Sequence, residues 1–172
     1  MLEFRDLTPE DIEVRVQSVK SNGLVLLLYK NARVDMNILD ETVGAENWQR
    51  EHYECKGNLF CKIGINTKYK DEAAAPNWVW KGDCGSESNT EAQKGEASDS
   101  FKRAGFNWGI GRELYTSPFL WVKGEDCNIN NGKCYDNFEV TKIKIEDKKI
   151  VALAIWNKTT QKRVIVWQKT EN

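Results

Sequence analysis

The stretch from Asn89 to Tyr115, NTEAQKGEASDSFKRAGFNWGIGRELY, constrains the fold more than any other part of the chain. Ala97, Phe101, Ala104 and Trp108 recur at steps of four, three and four, the period of one face of a helix. The spacing predicts a helix with that face buried. Asn89 or Thr90 serves as its N-cap, and Glu91 lies in the first turn, where a carboxylate meets free amide hydrogens and the positive end of the helix. Gly105, Gly109 and Gly111 loosen and end the helix before Arg112. Lys102 and Arg103 fall off the apolar stripe, so two cations stand beside a seam of small residues. The ordinary reading pairs Arg103 with Asp99 one turn earlier and leaves Lys102 solvated. The stretch holds four basic and four acidic residues, so no basic stripe announces nucleic acid. Gly109-Ile110-Gly111 lacks the third glycine of a dinucleotide fingerprint and the chain has no G-K-[ST] phosphate loop, which leaves nucleotide binding without support.

Composition narrows the function classes further. A chain of 172 residues, 40% hydrophobic and 30% charged, can bury one core without staples. Its net charge of −1 and pI of about 6.0 give no general attraction to polyanions, so any nucleic-acid site has to be a local patch. No apolar run approaches the roughly 18 residues of a membrane span. Glu3, Arg5 and Asp6 come too early for a signal peptide, and the expected location is the cytoplasm. Five cysteines, an odd count without export signals, read as reduced thiols. None has C-x-x-C spacing, and the single histidine, His52, lies far in sequence from Cys127 and Cys134, so no metal site is assigned. His52 reads as a strand residue at the surface or in packing. Nucleophile and metalloprotease motifs are absent and the acids are scattered with no D-x-D pattern, so no catalytic residue, cofactor or enzymatic activity is expected.

In chain order, Thr8-Pro9-Glu10-Asp11 reads as a helix start, with Ile12, Val16 and Val19 as its apolar face and Asn22-Gly23 as its end. Leu24 to Tyr29 reads as a buried strand, and Asn31 to Val43 as a second helix closed by Gly44. Trp48 to Glu54 and Leu59 to Tyr69 alternate about a turn at Lys56-Gly57-Asn58, which makes a hairpin; Trp78-Val79-Trp80 begins a third strand after the loop from Lys70 to Asn77. The expected class is α+β: a three-stranded antiparallel meander packed by the long helix, a β-β-β-α core. Beyond a turn-rich stretch from Lys123 to Asp136, three short antiparallel strands (Phe138 to Ile145, Ile150 to Trp156, Arg163 to Gln168) form an extra C-terminal β element. The expected division is a core domain over 1–121 and a β-rich extension over 122–172 packed on it. From Phe138 to Asn172 eight basic residues face four acidic ones, which suits a solvated sheet face, an auxiliary DNA-contacting surface or a subunit contact. Among the seven tryptophans, Trp78, Trp80 and Trp121 could stack on bases, but core packing is the commoner use and none is assigned a site.

The run Ala97-Ser98-Asp99-Ser100-Phe101-Lys102-Arg103-Ala104, followed by Trp108-Gly109-Ile110-Gly111-Arg112 and Leu114-Tyr115, resembles the signature of the Rad-fifty-two superfamily of single-strand annealing proteins. It is similar above all to the Sak-type recombinases of bacteriophages. Upstream, Ala32-Arg33-Val34 and then Val43-Gly44-Ala45-Glu46-Asn47-Trp48 resembles a second segment of the family in the same order and spacing. The resemblance covers Thr8 to Trp121, about two thirds of the chain.

This resemblance implies a single-stranded DNA-binding protein that anneals complementary strands without ATP in phage-type recombination and double-strand break repair. It implies a homo-oligomer, a ring or filament with DNA in a groove, and a phage exonuclease or single-strand-binding protein as a further partner. By resemblance Lys102 and Arg103 line the groove, Arg33 joins them, and Arg112 either contacts DNA or caps the helix exit; Asp99 orients Arg103. Eukaryotic members carry a further arginine one turn after the pair, where this chain has Phe106, which leaves the groove less cationic unless Arg112 compensates. The demands of annealing agree, since neutralising phosphates leaves base edges free. A protein that protects DNA ends or acts as a scaffold without annealing is the alternative, and a nuclease the third reading.

Overall fold

The computed structural model describes residues 2–85 and 92–170. In chain order its regular elements are β1 (Glu13–Lys20), β2 (Gly23–Tyr29), α1 (Ala32–Val43), β3 (Trp48–Cys55), β4 (Asn58–Asn66), β5 (Trp78–Cys84), α2 (Ala92–Trp108), β6 (Leu120–Lys123), β7 (Ile129–Asn130), β8 (Lys133–Cys134), β9 (Phe138–Glu146), β10 (Lys149–Asn157) and β11 (Lys162–Gln168). The class is mixed α and β, mostly antiparallel strands with two helices among the described residues. Neither helix is long and apolar enough to cross a membrane. The chain forms two compact units, Met1–Arg5 with Asn31–Gly111, and Asp6–Lys30 with Arg112–Asn172. Strands from the first thirty residues thus share a unit with the C-terminal strands, so these units cut across the chain order from which a boundary at 121 is expected.

The unit containing both helices has a three-stranded sheet in the order β3-β4-β5. Lys56 and Gly57 both take positive φ (53° and 76°), the turn that suits the twist of a two-residue hairpin between β3 and β4. β4 is the central strand: Cys61, Ile63 and Ile65 are fully buried and α2 packs over β4 and β5. On α2, Phe101 and Ala104 are fully buried while Ala97 and Trp108 are half-buried, the stripe that the spacing predicts. The N-cap expected at Asn89 or Thr90, and Glu91, lie outside the described residues. At its other end Gly109, at φ 98°, donates its N–H to Phe106 O at 3.0 Å and Ile110 donates to Gly105 O at 3.0 Å, a two-bond C-terminal lock that only a left-handed residue permits. α1 begins where the Asn31 side chain accepts the Arg33 N–H at 2.9 Å and ends at Gly44, φ 85°. It meets α2 where Gly105 leaves room for buried Asp35.

The other unit is built on a six-stranded antiparallel sheet in the order β11-β10-β9-β1-β2-β6, whose end strands β6 and β11 also approach each other. β7 and β8 pair separately. Here one expectation is corrected. The segment after Thr8 is not a helix running to Asn22: it makes a single 3-10 turn over Pro9–Asp11, where Asp11 accepts the Thr8 N–H at 2.8 Å, and then becomes β1. The pairing of β1 with β2 shifts register between Val16 and Ser18. This extra residue displaces Val19 from a strict period of two, so Ile12, Val16 and Val19 imitate helical spacing while alternating along a bulged strand. Three β-branched valines then favour the extended form.

Candidate nucleic-acid interface

The register of the three-stranded sheet decides which side chains face α2. Ile63 lies between Arg50 and Lys81, and Cys61 between His52 and Asp83, so the buried side of the sheet also carries two cations at its margins. The Arg50 guanidinium sits 4.9 Å from the centre of the Phe101 ring. The Lys81 ammonium sits 4.6 Å from the Trp108 ring and donates to Asn107 O at 3.1 Å. Phe101 and Trp108 belong to the stripe of α2, so the helix holds a cation from each outer strand against its own aromatic residues. Such contacts contribute about 0.5–2 kcal/mol each, depending on desolvation. His52 Nε2 lies 3.2 Å from Ala97 O, which fixes it as a packing residue beside the helix.

Lys102 and Arg103 emerge half-buried from the middle of α2. One guanidinium nitrogen of Arg103 lies 3.6 Å from Asp83 on β5, well beyond the roughly 2.7–2.9 Å of a strong charge-assisted bond. Its Nε is buried without a hydrogen-bond partner among the described residues. Arg103 is therefore positioned by β5 yet incompletely satisfied. Consecutive helix residues diverge by about 100°. Lys102 precedes Gly105, the contact with α1, by three residues, so it lies on the flank of α2 that faces α1, whereas Arg103 turns toward β5. Arg33 is exposed in the first turn of α1. The same unit thus carries Arg33, Lys102 and Arg103 around its helix pair. Arg112 is exposed at the start of a 3-10 turn, Arg112–Thr116, in the other unit.

Acidic groups temper this surface. Asp83 faces Arg103, and Glu96 accepts the Leu59 N–H at 3.0 Å. No group of three or more His, Cys, Asp or Glu side chains that could hold a metal occurs among the described residues. All five cysteines are free thiols. Burial pushes the Cys61 thiol up to about 11 against the opposing pull of Arg50, and burial together with Cys134 and nearby aspartates pushes Cys127 up to about 11. Neither is a nucleophile at neutral pH.

Arg50 and Lys81 escape a reading by helix motif alone. A signal was available, because alternation along each strand puts both on the same side as Ile63. The motif residues between the cations hold the frame. Asn47 donates to Val43 O at 3.0 Å and accepts from Asn66 at 3.1 Å, tying the end of α1 to the end of β4. Trp48 donates from Nε1 to Asp40 at 2.6 Å and packs 6.1 Å from Phe101. Trp108 donates from Nε1 to Ile63 O at 3.0 Å, anchoring the end of α2 to the central strand.

No curated protein and no solved structure matches the chain significantly. A family model does, over residues 4–133, which takes in both helices, the three-stranded sheet and all four arginine and lysine candidates. With three quarters of its length matched, the chain belongs to the Rad52/22 family of double-strand break repair proteins, and so to DNA recombination and repair.

Proposed function

We propose that this protein binds single-stranded DNA over the cations carried on and around α2 and accelerates annealing of complementary strands without ATP, as the Sak-type phage recombinases do. Arg33, Lys102 and Arg103 are the principal phosphate contacts, Arg50 and Lys81 reinforce them from the sheet, and Arg112 adds a contact from its own unit. The sheet β3-β4-β5 with α2 is the annealing core, and the strands after 121 serve as an auxiliary surface for DNA or a neighbouring subunit. The observation that carries this reading is the state of Arg103: a guanidinium held in place by a long 3.6 Å approach to Asp83 on a side chain 40% exposed, so that its terminal N–H groups are open to an anion. A phosphate supplies the charge-assisted bonds that Asp83 leaves unmade. Contacts to phosphates bind without reading sequence and leave Watson–Crick edges free.

The surface is only modestly cationic, so a single subunit holds DNA weakly. A homo-oligomeric ring or filament multiplies that contact along one strand. A phage exonuclease or a single-strand-binding protein is the partner class that would supply or cover such strands, in the cytoplasm of a bacterial host. No step of annealing breaks a covalent bond, and the reading requires no catalytic residue or cofactor. The test is the pairing rate of two complementary fluorescent oligonucleotides, without ATP, for the native protein and for Lys102→Ala with Arg103→Ala. Acceleration by the native protein, lost in the variant at unchanged oligomer size, supports the reading. Retarded pairing with intact binding would replace it by end protection or scaffolding.

A further inference from the structure

The opposite side of the same sheet carries a second feature. The register that turns Cys61, Ile63 and Ile65 toward α2 turns Phe60, Lys62 and Gly64 away from it, together with their partners Tyr53, Glu51 and Gln49 on β3 and Gly82 and Trp80 on β5. Trp78, opposite Asn66, continues this face. Tyr53 and Phe60 stack with centroids 5.4 Å apart and planes at 21°, and Trp78 and Trp80 lie 6.4 Å apart at 31°. Lys62 lies between the two groups, its ammonium 4.9 Å from the Trp80 ring and 5.9 Å from the Tyr53 ring, with Glu51 at 3.0 Å. Tyr53 and Trp80 are 40% and 38% exposed, values that leave ring surface open to solvent.

The orientation of Trp80 is informative. A Cβ built on Gly64 would meet Cε2, Cδ2 and Cη2 of that indole at 2.7, 2.8 and 2.8 Å. Three ring atoms at nearly one distance mean that the indole lies flat over the glycine, presenting its other π face outward. Glycine at position 64 allows this approach, and Lys62 steadies the ring from the side. An indole laid flat on a sheet offers a plane rather than a knob, and the complement of a plane is another plane.

We infer that this face is a base-stacking platform, with Trp80 at its centre and Tyr53, Phe60 and Trp78 around it, which holds nucleobases of single-stranded DNA. The inference rests on the DNA-binding reading above and adds a second mode of contact to it. Stacking uses the faces of bases and leaves their pairing edges free, which suits a strand awaiting its complement. One cation paired with one carboxylate gives this face little attraction for phosphates, so its contribution depends on bases and only slightly on salt.

Two oligonucleotides of equal length distinguish the modes: oligothymidylate, and an abasic strand with the same phosphates. Base stacking is worth about 1–3 kcal/mol per base, so native protein should prefer the base-bearing strand by about 5- to 150-fold. Trp80→Leu keeps an apolar cover over Gly64 and should lose the preference while binding the abasic strand as before, and Trp80→Phe should restore part of it. Equal native affinity for both strands, or an undiminished preference in Trp80→Leu, overturns the platform and leaves the phosphate groove standing. If Trp80→Leu changes oligomer size and weakens binding of both strands alike, the face is a contact between copies of the chain, which also overturns it. Failure of native protein to bind either strand overturns both readings.

Discussion

The crossing of α1 and α2 allows a substitution whose sign can be reasoned out. Gly105 lies inside α2, where alanine is normally favoured over glycine by about 1 kcal/mol. A Cβ on Gly105, however, would come within 2.7 Å of Asp35 Oδ1 and 3.4 Å of its Cγ. Asp35 is fully buried, so its carboxylate has no water to swing into. If the helices part, overpacking costs about 1–3 kcal/mol. If the Asp35 side chain moves instead, a buried polar group leaves its native setting, at about 1–3 kcal/mol. Either cost, near 2 kcal/mol, exceeds the propensity gain, and Gly105→Ala should destabilise the protein by about 1 kcal/mol. In an Asp35→Ala background the obstacle is gone and the same substitution should stabilise by up to about 1 kcal/mol. Urea denaturation followed by tryptophan fluorescence measures both differences. A stabilising Gly105→Ala in the native background, or an equal effect in both backgrounds, refutes the packing argument.

Other outcomes follow from single contacts. Asp83→Asn frees Arg103 and should tighten binding of single-stranded DNA several-fold at low salt, read by fluorescence anisotropy. Lys102→Ala with Arg103→Ala should flatten the salt dependence of log K for single-stranded DNA by about 0.7 for each phosphate contact removed. At pH 8 a maleimide should modify exposed Cys55 quickly and reach Cys61 and Cys127, both pushed up to about 11, only on unfolding. Burial alone would raise the Asp136 carboxyl, but hydrogen bonds from Asn128 and Asn157 outweigh it and hold the carboxyl below its ordinary value. The stabilisation from Asp136 is then complete above the unfolded pKa of about 3.9 and lost as pH falls through the lower folded value. Amide exchange of Asn128 should accelerate, relative to its intrinsic rate, below about pH 4.

Local signals were legible where one physical rule controlled the outcome. The apolar stripe of α2, the Gly44 end of α1, the Lys56-Gly57 hairpin and the three C-terminal strands all rest on interactions within a few residues. The bulge in β1 depends instead on the register of a partner strand, and a sequence window reads it as a helical step. The pairing of β1 with β9 joins Glu13 to Glu139, across a separation that no periodicity reports. Buried Glu113 has a similar origin: it accepts the Leu7 N–H at 2.8 Å, so a carboxylate that looks like one more surface charge beside Arg112 is an internal fastening. At the candidate interface the motif gave the cations on α2, while Arg50 and Lys81 required the sheet register to bring them beside it.

That register also bears on why a lysine and an arginine stand side by side in α2. Neighbours about 100° apart cannot share one environment. Arg103 turns to β5, where Asp83 fixes one end of a planar fork whose Nε is already buried. Lys102 turns to the α1 flank and makes no ion pair among the described residues. The two positions therefore differ in tolerance. Arg103→Lys removes the buried Nε and the fork, leaving a point charge that cannot offer an anion two parallel bonds, and it should weaken DNA binding about as much as Arg103→Ala. Lys102→Arg keeps the charge on an open flank and should bind within about twofold of native. Equal effects at the two positions, measured on the same oligonucleotide at the same salt, would mean that only net charge matters and that the geometry around Asp83 contributes nothing.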